Sequence, residues 1–225
     1  GIIGNTNWNL LDTVGFYRGY GGPPEDTLNQ GNVNGKLWIP AEADVSIRPG
    51  WFYHAKEDNK VKSPNTLFNL FLKSVGNGGN LLLNVPPDRR GLFHEADSAS
   101  LVGFAALREK AFKTNLFTGL KPLVKTTAGL PTLTYTFKKA TKLNAVVLQE
   151  LIEHGQRVKT FTIEAKESTT GNFVKIFDGT TIGRKKIATF DPITTSSIKI
   201  TITGAKAEVL LKPSAAHDFG FEVKN

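Results

Sequence analysis

The sequence predicts two structural classes in one chain, part of a (β/α) barrel followed by an all-β sandwich of jelly-roll type. Three observations predict it. Residues 63–113 read as helix, buried strand, polar loop and helix in that order, the succession of an α/β architecture. The texture changes near residue 120, where alternation of helix and strand patterns stops. Beyond that point, strand-like segments recur about every ten residues, the spacing of a sandwich or barrel. Hydrophobic residues make up 40% and charged residues 21%, which is enough apolar surface for a sizeable core.

The elements follow in order. Gly1–Gly35 is rich in Gly, Asn and Pro and reads as long loop. Ser63-Pro64 reads as an N-cap with proline at the first helical position. Leu67, Leu70, Phe71 and Val75 then recur at helical spacing, and Gly76, Gly78 and Gly79 end that helix. Leu81-Leu82-Leu83-Asn84-Val85 is an apolar run that fits a parallel strand buried on both faces, stopped by Pro86-Pro87-Asp88. A second helix is expected from about Glu95 to Lys113, with Leu101, Phe104, Leu107 and Phe112 on its inner side. In the second part, strands are expected near 132–138, 143–150, 158–166, 172–177, 185–190, 196–203, 207–212 and 218–224. Ser197–Thr203 alternates most cleanly between apolar and polar residues. Phe161, Phe173, Phe177 and Phe190 are expected in its core. The expected division is 1–120 for the barrel segment and 121–225 for the sandwich.

Composition removes several classes of function. With no cysteine there is neither a disulfide framework nor a Cys-based zinc site. His54, His94, His154 and His217 show no metal-ligand spacing, so no metal is expected. No apolar run reaches the ~20 residues that span a bilayer, so no membrane association is expected. The net charge of +8 is uneven: residues 1–117 hold 12 Lys/Arg against 11 Asp/Glu, and residues 118–225 hold 16 against 9. The excess lysines are scattered among strands, and Arg184-Lys185-Lys186 is too short for a polybasic tract, so nucleic acid is not an expected partner. The N-terminus has no initiator Met and no signal-peptide pattern, and reads as a processed, trimmed or internal boundary.

The chemistry-bearing stretch runs from Trp38 to His54, WIPAEADVSIRPGWFYH. Glu42 and Asp44 are two apart and share one side of a strand. Two neighbouring carboxylates raise the pKa of one of them, which is how a Glu is kept as a proton donor near neutral pH. Glycoside cleavage needs such a donor. Trp38, Trp51, Phe52 and Tyr53 offer flat faces for a sugar ring, and Arg48 and His54 offer donors for hydroxyls. A Glu/Asp pair beside aromatics equally fits a strand-end salt bridge over a packed core, so the residues by themselves leave both readings open. Asn84, at the end of its strand, is placed at the barrel mouth by the same positional logic. Gly76-Asn77-Gly78-Gly79 is not a phosphate cradle, because a helix C-terminus carries the wrong dipole sign.

The block WIPAEADVSIRPGWFYH, followed by KSVGNGGNLLLNVPPDRRG and preceded by NTNW at Asn5–Trp8, resembles the α-L-fucosidases of glycoside hydrolase family 29. The resemblance implies a retaining double displacement that releases terminal α-L-fucose, α-1,3/1,4-linked, from oligosaccharides or glycoprotein glycans. It implies Glu42 as the general acid/base and Arg48, Trp51 and His54 as substrate-binding residues, and it implies no cofactor; Trp38 by its flat face, Asp44 by its supporting place beside Glu42 and Asn84 by its strand-end position are counted with the substrate-binding residues. It makes the sandwich a discoidin-like module that braces the barrel. A secreted, extracellular or vacuolar/lysosomal setting goes with the family.

Two positions depart from the family pattern: Asn5 stands where a Glu is usual, and Asn77 stands where a basic residue is common. The family nucleophile, an Asp in a Trp-Phe-Asp-Gly type motif, and its early paired His residues have no counterpart in these 225 residues. The expectation is therefore a C-terminal segment, active only with an N-terminal fragment or chain that completes the barrel. The alternative from another class is a non-catalytic carbohydrate-binding or structural fragment.

Overall fold

The computed structural model describes residues 42–221 and 223. Trp38, the Asn5–Trp8 motif and the expected Gly1–Gly35 loop lie outside the described residues.

The first part is a β-α-β-α unit. Strand β1 (Glu42–Ser46) is followed by a 3₁₀ segment at Ala55–Lys60 and by helix α1 (Pro64–Ser74). Strand β2 (Asn80–Asn84) and helix α2 (Glu95–Phe112) complete it. The Ser63 hydroxyl accepts from Thr66 N, and Pro64 opens α1 as the sequence predicts. A 3₁₀ turn at Val75–Asn77 carries the chain out of α1, and Gly78 reverses it at φ 85°, where a Cβ is strained. β1 and β2 pair in parallel, as expected for a barrel. β2 is only partly covered among the described residues, Leu82 being 48% exposed; its second face was expected to be buried. The two helices approach closely where a Cβ on Gly103 would come within 2.6 Å of the Pro64 ring.

Among the described residues, the second part is a six-stranded antiparallel sheet. Its strands are β3 (Leu123–Thr127), β4 (Leu130–Leu148), β5 (Val158–Lys166), β6 (Phe173–Gly179), β7 (Lys186–Ala205) and β8 (Ala215–His217). They run in the order β3-β4-β7-β5-β6, with β8 pairing β4. The structure corrects several predicted strands. Segments 132–138 and 143–150 are one strand, β4, and 185–190 and 196–203 are one strand, β7. Each is long and bulged, with register shifts at Thr136/Thr141 and Leu143/Ala145. A bulge breaks the two-residue alternation and bends the strand, so one element reads as two. Segment 207–212 is not a strand and makes only the isolated Glu150–Leu211 bridge. β3 was not anticipated; every residue in it is exposed, so no alternation marked it.

The core of the sandwich gathers Phe161, Ile163, Ile198, Ile200 and Ile202 with Leu143, Val146 and Leu148. The second half of β4 is buried on both faces. Val146 and Leu148 face this core, whereas Ala145 and Val147 pack with Phe68, Leu72, Ala111 and Ile187 against the helices. Within the predicted strand at 218–224, residues 218–221 form no strand, and Phe219 and Phe221 lie among the helices. The Phe219 ring lies 5.6 Å from Phe68 and 5.2 Å from Phe112. Asn144 holds this segment, accepting from Phe219 N at 2.9 Å and donating to Phe221 O at 3.1 Å. Lys186 adds a polar tie, donating to Asn77 Oδ1 at 2.8 Å. Barrel segment and sandwich thus share a second apolar core, which fixes β1 and β2 relative to the sandwich.

Candidate functional site

Residue alternation along β1 and β2 defines the candidate surface. Glu42 and Asp44 are exposed, while Ala43 and Ile47, on the opposite side of the strand, are fully buried. The parallel register sets Glu42 beside Asn80, Asp44 beside Leu82 and Ser46 beside Asn84. Six residues therefore share one face of the two-stranded piece. The predicted Glu42/Asp44 pair does lie on one side.

Two polar groups stand on this face. In the first, Asn80 Nδ2 donates to Glu42 Oε2 at 2.9 Å, orienting the carboxylate. In the second, Asn84 Nδ2 donates to Ser46 Oγ at 3.0 Å and to the Trp51 carbonyl at 3.0 Å. Ser46 Oγ donates to Gly50 O at 2.6 Å, closing the turn after β1. Four residues of strand separate the groups, about 13 Å. The second group sits at the C-terminal strand ends, the side on which barrel sites form. Trp51 and Phe52 project there, 50% and 77% exposed.

Arg48 is a correction. It was expected to donate to a ligand, but it is fully buried and its donors are taken up by the protein. Its Nε reaches Asp97 at 3.0 Å, Nη2 reaches Asp97 Oδ2 at 2.7 Å, and Nη1 reaches Asp58 Oδ1 at 2.9 Å and the His54 carbonyl at 3.4 Å. The guanidinium also lies 4.8 Å from the Tyr53 ring centroid. These carboxylates raise its pKa against the opposing effect of burial, so it stays charged. Arg48 is a strut that pins the chain beyond β1 to α2 and to the 3₁₀ segment. Lys62 adds a second strut, donating to the Ser46 and Arg48 carbonyls at 2.6 and 3.2 Å.

His54 is exposed and precedes the 3₁₀ segment, where its carbonyl accepts from Glu57 N at 2.9 Å. Trp38 lies outside the described residues. Sequence reasoning missed Asn80, Ser46, Asp58, Lys62 and Asp97. The two-residue period extended from Glu42 would have added Ser46, and the same period back from Asn84 would have added Asn80. Asp97 lies 49 residues from Arg48, and no local signal connects them. Among the described residues no group of three or more His, Cys, Asp or Glu gathers as a metal site.

Comparison with known proteins places these features. Residues 16–108 match the family described as alpha-L-fucosidase, and residues 110–211 match the F5/8 type C domain. Alpha-L-fucosidase 1 of Arabidopsis thaliana is 30% identical over 94% of this chain, and a putative alpha-L-fucosidase 1 of rice is 31% identical over 94%. These alignments span 46% and 45% of the plant proteins, so the chain covers about half their length. A putative alpha-L-fucosidase from Bacteroides thetaiotaomicron superposes with a TM-score of 0.84 at 29% identity, over 96% of this chain and 52% of that one. One from Bacteroides ovatus gives 0.79 at 33% identity, over 100% of this chain and 40% of that one. A Ruminococcus gnavus family 29 fucosidase solved in complex with fucose gives 0.76 at 26% identity, over 82% of this chain and 42% of that one.

Proposed function

The chain belongs with the alpha-L-fucosidases of glycoside hydrolase family 29, joining the end of their barrel to an F5/8 type C sandwich, and from that premise we propose that it supplies the proton-transfer half of a retaining fucosidase site. The division we propose is barrel segment 1–120 and sandwich 121–225. The substrate is a terminal α-L-fucosyl residue, α-1,3/1,4-linked, on an oligosaccharide or glycoprotein glycan.

Glu42 is the general acid/base in this reading. It gives its proton to the glycosidic oxygen as the carbon–oxygen bond breaks. A carboxylate from sequence outside these 225 residues attacks the anomeric carbon and forms the glycosyl-enzyme. Glu42 then takes a proton from the water that displaces it. The observation that carries the reading is the exposed Glu42 carboxylate on the open face of β1, oriented by Asn80 at 2.9 Å. Asp44, one step further along the same face, supports it with negative charge. Trp51, Asn84 and Ser46 line the strand ends, about 13 Å further along the strand, where more distant units of the glycan would lie, and Arg48 holds that end in place.

The test is Glu42→Gln in the enzyme with its barrel complete, assayed on aryl α-L-fucosides of graded leaving-group ability. General acid catalysis contributes about 10²–10⁴-fold. A loss of that size is expected on poor leaving groups and a smaller one on activated aryl fucosides, where azide restores turnover. Unchanged turnover on poor leaving groups rejects the assignment. The position of Ser46, Asn84 and Trp51 at the strand ends, about 13 Å from Glu42 along the strand, gives the second reading its footing: carbohydrate binding without hydrolysis. Fucoside binding in a completed barrel with no turnover would establish it.

A further inference from the structure

An opening lies away from the β1–β2 face, where the helices meet the sandwich. It holds about 530 Å³. Helix α1 contributes Phe71, α2 contributes Arg108 and Phe112, and the sandwich contributes Gln149, Lys185 and His217. Val147 and Ile187, both buried, complete an apolar floor.

We propose that this junction pocket binds an acidic monosaccharide unit, a hexuronate, with its carboxylate between Arg108 and Lys185 and its ring over the apolar floor. The polar inventory suits that ligand. Two cations stand against one carboxylate, Glu109, so the lining has a net positive charge. Gln149 donates its Nε2 hydrogen to the Arg184 carbonyl at 3.1 Å, which leaves its amide oxygen as an acceptor for a hydroxyl. His217 Nδ1 lies 2.7 Å from the Thr114 carbonyl. A carbonyl only accepts, so Nδ1 carries the proton. Burial lowers the His217 pKa, which keeps the ring neutral and leaves Nε2 as an acceptor. Burial likewise lowers the Lys185 pKa, with the Arg184 charge adding to the effect; a bound carboxylate offsets both. The pocket therefore offers cationic donors for a carboxylate, acceptors for ring hydroxyls and an apolar surface for C–H faces. Mixed apolar lining with a few convergent polar groups is the pattern of a small-molecule site. The proposal does not depend on the role of Glu42.

Calorimetric titration of the full chain with sodium D-glucuronate tests it. D-Glucose and sodium acetate serve as controls, at low salt and at about 0.5 M salt. The expected result is millimolar binding of glucuronate, weaker at high salt, with both controls at least about tenfold weaker. Arg108→Gln and Lys185→Gln should each weaken glucuronate about tenfold while leaving the thermal midpoint unchanged, since each side chain is at least partly exposed. Lys185→Arg should retain binding. Glu42→Gln should leave the isotherm unchanged, which separates this pocket from the β1–β2 face. Equal binding of glucose removes the anion assignment, and equal binding of acetate removes the sugar assignment. Loss of binding in Glu42→Gln, indifference to Arg108→Gln and Lys185→Gln, or no heat up to about 50 mM overturns the proposal.

Discussion

Replacing Asp97 with Asn should destabilise the fold by about 3 kcal/mol. Asp97 and Arg48 are both fully buried, and three contacts join them: Nε to Oδ1 at 3.0 Å, Nε to Oδ2 at 3.1 Å and Nη2 to Oδ2 at 2.7 Å. Two unit charges about 3 Å apart attract by roughly 5–6 kcal/mol at an effective dielectric constant near 20. Removing one charge forfeits that attraction and leaves the guanidinium buried, which typically costs about 3–5 kcal/mol. Asp58 remains 2.9 Å from Nη1, so Arg48 is not stranded, and the lower end applies. In urea, with m near 2–3 kcal/mol/M, the midpoint should fall by about 1–1.5 M. The thermal midpoint should fall by roughly 6–12 °C. The double variant Arg48→Met/Asp97→Leu should recover most of the loss, because an apolar pair of similar volume removes the unpaired charge. A loss below about 0.5 kcal/mol in Asp97→Asn, or a double variant no more stable than the single, would refute the argument.

Burial lowers the Lys186 ammonium from 10.5 to about 8. Between those values the unfolded chain holds more protons than the native one, so stability rises with pH there, and the burial penalty is fully present below pH 8. Lys186→Met should therefore raise the thermal midpoint at pH 7, by about 1–3 kcal/mol in stability, and the gain should shrink toward pH 10.5; a gain independent of pH in differential scanning calorimetry would contradict the linkage. Gly103→Ala should cost about 1–3 kcal/mol, because its Cβ would lie 2.6 Å from the Pro64 ring and push α1 from α2; a neutral result in chemical denaturation would show that the helices separate freely. For the site, Asn80→Ala removes the 2.9 Å bond to Glu42 and should lower turnover in the completed enzyme less than Glu42→Gln does, with the larger loss on poor leaving groups. Unchanged turnover on poor leaving groups would mean that Asn80 does not position the carboxylate.

Local pattern alone made a good deal of this protein legible. Ser63-Pro64 marked the start of α1 because capping is settled within four residues. The Leu81–Leu83 run marked a parallel strand, and the spacing of Glu42 and Asp44 put both on one face, because strand alternation is a property of the backbone. The motif from Trp38 to His54 carries the resemblance to the alpha-L-fucosidases within seventeen consecutive residues. Tertiary structure decided what depends on distant partners. Arg48 reads as a ligand donor in sequence and is a buried strut in space, because Asp97, 49 residues away, occupies its fork. The tail around Phe219 and Phe221 reads as a strand, yet the apolar gap between α1, α2 and β4 claims those rings. β4 and β7 read as four strands, since their bulges hide continuity that only pairing reveals. Short-range geometry is written residue by residue, whereas burial, charge pairing and register are won in competition among all the partners the fold brings within reach.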